Sequence, residues 1–505
     1  MNPLLHLAEH AATWRGRTLP PDLERHARRA LIDWFAALLP GCHMPPATLL
    51  APALAAERGT GHAICYVDGQ AGAPRHTALL NAIASHAAEF DDIHRDSGHH
   101  PGSPTIAAAL AMAQDRLVTN RGAAMTDLLR AIVAGYEVSC RIGLAVQPSH
   151  YRMWHTTGTV GTFGAAAAAA ACVLLGCDAE RTAHALATAA TMAGGLQQAF
   201  RGDGMSKPMH PGHAADAGTL AALAASAGVT GALDVLHGPA GFAAATSDST
   251  GRWDEALAGL GEEFAIASMT IKNHGCCGHI FPALDALITM RAEHGFGPAD
   301  IAAIHVAGYG PTKTVCDRPH ARTGAEARFS VQYCVAALLR LGGVRLAAFD
   351  AEHRADPAMH ALMERVTVGI APDLVDAYPA RRPARVTVTL RDGRVLERFQ
   401  PTRKGDPDLP LSDAELSAKF LELAPPPPSP ATRQCCWTSS GTEALCRAPW
   451  RYGLATAPLD AYRDHQTAAR SGQGDEKGER DVPTPAFDRR ISGCGATGPC
   501  GGGAG

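Results

Sequence analysis

Between residues 86 and 102 the chain reads His-Ala-Ala-Glu-Phe-Asp-Asp-Ile-His-Arg-Asp-Ser-Gly-His-His-Pro-Gly. This sets Glu89, Asp91, Asp92 and Asp96 among His86, His94, His99 and His100, with apolar, Ala-rich segments on either side. Carboxylates and imidazoles crowded between apolar segments are costly to bury unless they pair. Pairing shifts their pKa values, and shifted pKa values are what proton transfer at carbon requires. A solvated polar loop is the plain alternative. A metal centre is another, since His and carboxylate are common ligands, but no HExxH or comparable ordered spacing is present, and no metal is expected.

Three further segments are of the same type: His155-Thr-Thr-Gly-Thr, then Lys207-Pro-Met-His210-Pro-Gly-His213, then Lys272-Asn-His274-Gly-Cys-Cys277-Gly-His279. Each sets a His or Lys beside Gly, Pro or other small residues, where a substrate can approach the backbone closely. A single His at a helix end is more often a cap or a core residue than a catalyst; the repetition points to one convergent site. The lysines add a compositional hint. They are Lys207, Lys272, Lys313, Lys404, Lys419 and Lys477, in a chain with 45 basic Lys and Arg side chains, and none precedes Lys207. Lys can lose its proton on burial and Arg effectively cannot. Lys419 and Lys477 are expected to be ordinary solvated surface groups.

The elements that must position these residues are helices in the first part of the chain. Apolar residues at i, i+3 and i+4 spacing predict a helix over residues 21–41 and a second over 77–90, which delivers the acid/His run at its end. Others are predicted over 105–114, 126–146, 181–194, 213–228 and 253–260. The uncharged run 158–177, with its alanines from Ala165 to Ala171, suits a helix buried tightly among others rather than a membrane span. No strand is predicted before residue 268. After it, residues 301–309 and 384–390 read as strands, and Asp392-Gly393 marks a hairpin to 395–399. Helices are predicted over 283–294 and 330–341, and 404–424 returns to helix. The polyproline run 425–428 opens a tail rich in Gly, Ser, Arg and Cys without apolar periodicity, expected to be disordered.

These elements predict a mainly α protein: a large all-α domain over residues 1–268, a smaller α+β domain over 269–400, a returning helix over 401–424 and the tail 425–505. The net charge of −4, with no basic block, gives nucleic-acid binding no electrostatic support. The 14 cysteines at irregular spacings are expected to be reduced thiols of a cytoplasmic protein.

The order of motifs resembles the MmgE/PrpD family, whose members include 2-methylcitrate dehydratase, cis-aconitate decarboxylase and iminodisuccinate epimerase. The resemblance rests on Glu89-Phe-Asp-Asp with His100-Pro-Gly, Ala134-Gly-Tyr-Glu-Val, His155-Thr-Thr-Gly-Thr-Val-Gly, Lys207 with His210-Pro-Gly-His-Ala-Ala, Gly228-Val-Thr-Gly, Lys272 with Cys277, Tyr333, and Lys404-Gly-Asp-Pro. It runs from about residue 5 to residue 424. It implies an all-α domain built from both chain ends, an inserted α+β lid, a homodimer, and an active site between the domains with no metal or organic cofactor. By position it assigns Glu89, Asp92, His100, His155, Lys207 and Lys272 to that site. The chain departs from the family pattern at Phe281, where a His often stands four residues past the Cys, while His279 lies two residues earlier; the family's closing helices after residue 424 are not found.

The family's reactions break a bond to a carbon next to a carboxylate, which needs a positioned base and cationic stabilisers. On this reading His100 and His155 form an acid/base pair titrating near neutrality, Lys207 and Lys272 bind carboxylates, and Asp92 and Glu89 orient a His or a Lys. Asp91, His210, His274 and Cys277 complete the candidate substrate-binding set. The expected partner is a small carboxylate, the expected function a lyase acting on a di- or tricarboxylate; an epimerase of an iminodisuccinate-like compound and an inactive family member are the alternatives.

Overall fold

The computed structural model describes residues 2–118, 125–168, 174–200, 204–378 and 381–424. Its first part is a succession of helices: α1 (Pro3–Thr13), α2 (Pro21–Gly41), α3 (Ala47–Ala53), α4 (Pro74–Ala87), α5 (Gly102–Val118), α6 (Met125–Val146), α7 (Thr156–Ala166), α8 (Ala179–Met192) and α9 (Met209–Ser226). Several starts are local. Pro opens α1, α2 and α4, where its fixed φ is already helical and its missing N–H would have had no partner. Asn2 and Asp178 cap α1 and α8 through side-chain oxygens.

Helices α4, α5, α7 and α9 pack on one another. Small residues decide how closely. A Cβ on Gly218 of α9 would lie 2.5 Å from the Thr162 carbonyl oxygen of α7, and one on Gly212 would lie 2.4 Å from Ile83 of α4. Every residue of α7 is buried, so it needs no polar face. No helix among the described residues is long and apolar enough to cross a membrane.

Two large apolar cores form among the described residues, beside two small clusters. The first runs from Leu4 through α2 and α4–α9 to Ile266 and takes in Leu411, Leu416, Phe420 and Leu423 near the end of the described chain. The second spans Cys276 to Leu390 and includes Phe281, Val331 and Val386. It covers a four-stranded mixed sheet in the order β4-β3-β5-β6, made of β3 (Ile301–Gly308), β4 (Val366–Ile370), β5 (Ala384–Leu390) and β6 (Val395–Gln400). β3 pairs parallel with β4 and antiparallel with β5, and β5 pairs antiparallel with β6. The Phe281–His294 helix packs against β5 and β6.

The structure differs from the sequence reading in particular places. Two short strands, β1 (Ala63–Cys65) and β2 (Gln70–Gly72), form a hairpin before residue 268, where no strand is predicted. Three residues each are too few to show alternation, and the signal present is the Asp68-Gly69 turn, with Gly69 at φ +71°. Strand β4 likewise lies where no strand is predicted. The helix predicted over 77–90 runs from Pro74 to Ala87 and leaves Glu89 in the following loop. The helix predicted over 404–424 is confined to Asp413–Leu423, because Pro407 and Pro410 interrupt what precedes and a Ser412/Glu415 capping box starts it. Lys419, expected at the surface, is 1 % exposed: Nζ donates to Asp33 Oδ1 at 2.5 Å and to the Phe90 carbonyl at 2.9 Å. The predicted tail and Lys477 lie outside the described residues.

Candidate active site

Helix α4 ends at Ala87, and Glu89 then takes φ +61°, the one positive φ at a non-glycine position among the described residues. A left-handed conformation costs a side-chain-bearing residue about 1 kcal/mol or more, so the surroundings must hold it. They do so with cations. Lys207 Nζ donates to Glu89 Oε1, and Lys272 Nζ donates to the Glu89 carbonyl at 3.0 Å and to Oε2 at 3.5 Å. Lys207 stands just before α9. Lys272 is brought in because Thr270 and Ile93 exchange backbone hydrogen bonds of 3.0 and 2.9 Å. Burial pushes the Glu89 carboxyl up, but Lys207 and Lys272 outweigh it and hold it well below the usual carboxylate range. Burial likewise disfavours charge on Lys272, and Glu89 and Asp91 more than offset it.

The turn at Glu89 sends the next two carboxylates to different sides. Asp91 enters the imidazole cluster: His86 Nδ1 lies 2.6 Å from Asp91 Oδ2, Ser103 Oγ donates to the same oxygen at 3.0 Å, and Lys272 Nζ is 3.8 Å from Oδ1. His100 Nδ1 is 3.3 Å from Oδ2 but is not aligned for a hydrogen bond. Asp92 does not orient a His or a Lys. It accepts from Tyr136 Oη at 2.7 Å and from the Gly102 N–H at 3.1 Å, bracing the start of α5. Burial, reinforced by Asp33, pushes its carboxyl up to about 8.

The imidazoles form a row. Ring centroids are 5.0 Å apart for His86 and His100, 5.6 Å for His86 and His155, and 5.2 Å for His155 and His210. His155 occupies the position before α7, with its Nδ1 2.9 Å from that of His210 at the start of α9. The His100 backbone N–H donates to Thr157 Oγ1 at 3.1 Å. Burial lowers His100 and His210 to about 4 and holds His155 well below its ordinary value, in the last case with His86 and Lys207 adding to it. The near-neutral titration expected of His100 and His155 is therefore displaced: at neutral pH both rings are uncharged and can accept a proton.

The remaining candidates lie around this centre. His274 is turned to Asp285, 3.1 Å away, and Asp285 also accepts from the Lys404 backbone N–H. Cys277 is partly exposed; the Cys316 thiol donates to it, and with burial opposing, the His279 N–H and the Lys272 charge help bring it to about 7. Two residues escaped the sequence reading as site groups. His86, noted only as part of the run, is the hub of the imidazole row. Arg328, one Arg among many, donates to the Gly275 and Ala88 carbonyls at 2.8 and 3.3 Å and so ties the Lys272 segment to the end of α4. His86, Asp91 and His100 also offer ligand atoms all within 4.8 Å of one another, close enough to hold a divalent ion. Sequence spacing did not reveal this group, because the three span a helix end and a folded loop. As they stand, the arrangement offers cations for carboxylates and neutral bases close beside them.

The comparisons with known proteins agree in direction. The MmgE/PrpD N-terminal domain matches residues 5–252 and the MmgE/PrpD C-terminal domain matches residues 274–435. The cis-aconitate decarboxylase-like protein oryM of Aspergillus oryzae is 28% identical over 430 residues, covering 80% of this chain and 87% of that protein. The cis-aconitate decarboxylase of Homo sapiens is 28% identical over 354 residues, 69% of this chain and 72% of its own. That of Aspergillus terreus is 28% identical over 302 residues, 58% of this chain and 60% of its own.

Proposed function

The chain belongs to the MmgE/PrpD family, and from that premise we propose that it is a lyase acting on a small di- or tricarboxylate without an organic cofactor, with decarboxylation of cis-aconitate as its first candidate reaction. The observation that carries this reading is the convergence of Lys207 and Lys272 on Glu89, directly beside a row of buried imidazoles in which burial keeps His100 and His155 uncharged.

In this mechanism a substrate carboxylate competes with Glu89 for Lys207 and Lys272. The anion entering the site raises the proton affinity of His100 and His155, and one of them takes up a proton with it. When a carboxylate leaves as CO2, the electron pair of the broken carbon–carbon bond passes into the framework conjugated with the carboxylate still held by the lysines. The protonated imidazole then delivers its proton to carbon and returns to the neutral form. Contacts that tighten as charge accumulates on the retained carboxylate lower the barrier, whereas contacts equal in both states do not. Asp91 keeps His86 and Lys272 in register throughout. We further read residues 1–268 with 401–424 as one domain and 269–400 as an inserted lid, a division supported by the two separate apolar cores, and the active form as a cytoplasmic homodimer.

Proton NMR of the full-length protein with a panel of small di- and tricarboxylates tests the assignment. Loss of CO2 or of water from one acid fits it. Exchange of an α-proton with solvent deuterium without net loss would make the protein an epimerase instead, and silence on every acid would remove the lyase reading.

A further inference from the structure

The Lys404-Gly405-Asp406-Pro407 motif has no part in the chemistry above, yet it closes on the segment that carries Lys272. The Ile271 N–H donates to the Gly405 carbonyl at 2.9 Å. Gly405 takes φ +99°, and a Cβ there would lie 2.0 Å from the Ile271 carbonyl oxygen, so only glycine allows this approach. Asp406 follows with no exposed surface. Its Oδ1 accepts from Thr270 Oγ1 at 2.6 Å and from Arg403 Nη2 at 2.5 Å, and its Oδ2 accepts from Arg403 Nε at 2.9 Å. Arg403 Nη1 in turn donates to the Gly278 carbonyl at 3.3 Å. A buried carboxylate matched in this way by a guanidinium and a hydroxyl holds its partners in one geometry.

Thr270 is the point where this clasp reaches the acid/His loop. It too has no exposed surface. Its side chain is held by Asp406, and its backbone exchanges hydrogen bonds with Ile93, which follows Asp91 and Asp92 directly. Two residues on, Lys272 Nζ donates to the Glu89 carbonyl at 3.0 Å and to Oε2 at 3.5 Å. On the far side of Lys272, Asp285 joins His274, 3.1 Å away, to the Lys404 backbone N–H at 2.7 Å. Residues 403–406 therefore grip the Lys272 segment at Thr270, Ile271 and Gly278 directly, and at His274 through Asp285. A Lys ammonium stands on a flexible four-carbon stem, so its placement depends on the backbone beneath it.

We propose that Asp406 is a positioning residue for Lys272: by fixing the Thr270 hydroxyl it sets the separation between the Lys272 segment and the loop of Glu89 and Asp91, and so the place at which Lys272 meets a substrate carboxylate. Asp406 itself, fully buried, meets no substrate. The consequence for turnover rests on the lyase reading given above; the placement of Lys272 does not.

Thr270→Val tests this in the full-length protein, since it removes the hydroxyl and leaves the Arg403–Asp406 fork in place. The first readout is the rate at which acetic anhydride acylates Lys272 under mildly alkaline conditions, followed by peptide mass with the half-exposed Lys313 as reference. Lys272 should react roughly 10-fold faster in the variant, as a change of about one pKa unit would give, with Lys313 unchanged. The second readout is kcat/KM with cis-aconitate, which should fall roughly 10- to 100-fold, the range of a misplacement of about 1 Å. Thr270→Ser should restore most of both. In a Lys272→Ala background Thr270→Val should cause little further loss, because Thr270 acts through Lys272. Should Thr270→Val not fold, Thr270→Ala, which sets no γ-methyl against Asp406, carries the same readouts. Unchanged Lys272 acylation in a folded variant without the hydroxyl overturns the positioning role, as do losses that multiply in the double variant or a Thr270→Ser no better than Thr270→Val. Faster Lys272 acylation in the variant, with no turnover of cis-aconitate by the unsubstituted protein, supports the clasp and overturns decarboxylation of that acid as the reaction.

Discussion

His86 Nδ1 stands 2.6 Å from Asp91 Oδ2, and neither side chain is more than 1 % exposed. The two come from different kinds of structure, His86 from the last turn of α4 and Asp91 from the loop beyond it. Their contact depends on the left-handed turn at Glu89 between them. It fixes the hub of the imidazole row and holds the carboxylate that also faces Lys272 and His100.

The first expectation concerns this pair. His86→Ala and Asp91→Asn should each lower kcat/KM roughly 100-fold or more, the range of a lost proton-transfer arrangement. The double variant should fall little further, since the two act as a unit. Steady-state kinetics of the cycle check this; fully additive losses would mean independent roles.

Lys207→Ala and Lys272→Ala should each cost about 2–4 kcal/mol in kcat/KM, roughly 30- to 1000-fold, by analogy with the loss of an oxyanion donor. Circular dichroism should show an unchanged helical content, because a Lys facing a substrate pocket leaves no apolar void. Activity close to that of the unsubstituted protein in both variants would take them out of the site.

Lys419→Ala should behave in the opposite way. It leaves the Asp33 carboxylate buried without its cation, a change that typically costs roughly 3–5 kcal/mol of stability. The measurement is the denaturant midpoint, and a shift of a few tenths of a kcal/mol would contradict the buried pairing.

Stability should fall on acidification between about pH 6.5 and 4. His10, His94, His100, His150 and His210 are all lowered to about 4, chiefly by burial. Unfolded histidines titrate near 6.5, so in this window the unfolded chain binds more protons and stability is lost as pH drops. Asp92, pushed up to about 8, acts in the reverse sense, as do the raised Asp33 and Glu137; the histidines outnumber them. Melting temperatures at constant ionic strength should therefore decline across the window, and a flat or rising profile would contradict the neutral, buried state of these rings.

Dialysis against EDTA should leave turnover intact, because His86, Asp91 and His100 are assigned to proton handling although their ligand atoms lie within 4.8 Å of one another. Activity lost on chelation and restored by zinc or iron would reassign the three as ligands.

The sequence made the candidate site's composition legible and left its geometry hidden. The acid/His run, the two lysines and the strands around Asp392-Gly393 stood out because residue type and period carry them. Which of the adjacent Asp91 and Asp92 faces the imidazoles did not, since the backbone turn at Glu89 decides it. Lys419 shares its helix face with Leu416, Phe420 and Leu423, and only Asp33, 386 positions away, explains a cation there.

The central claim is that the Lys207–Glu89–Lys272 group and the imidazoles beside it break a bond next to a carboxylate. Release of labelled CO2 from carboxyl-labelled cis-aconitate, followed with the unsubstituted protein and with Lys272→Ala in parallel, tests it most directly. The account predicts sustained release by the former and a rate roughly 30- to 1000-fold lower in the latter. No release by the unsubstituted protein, or equal rates from the two, would contradict it.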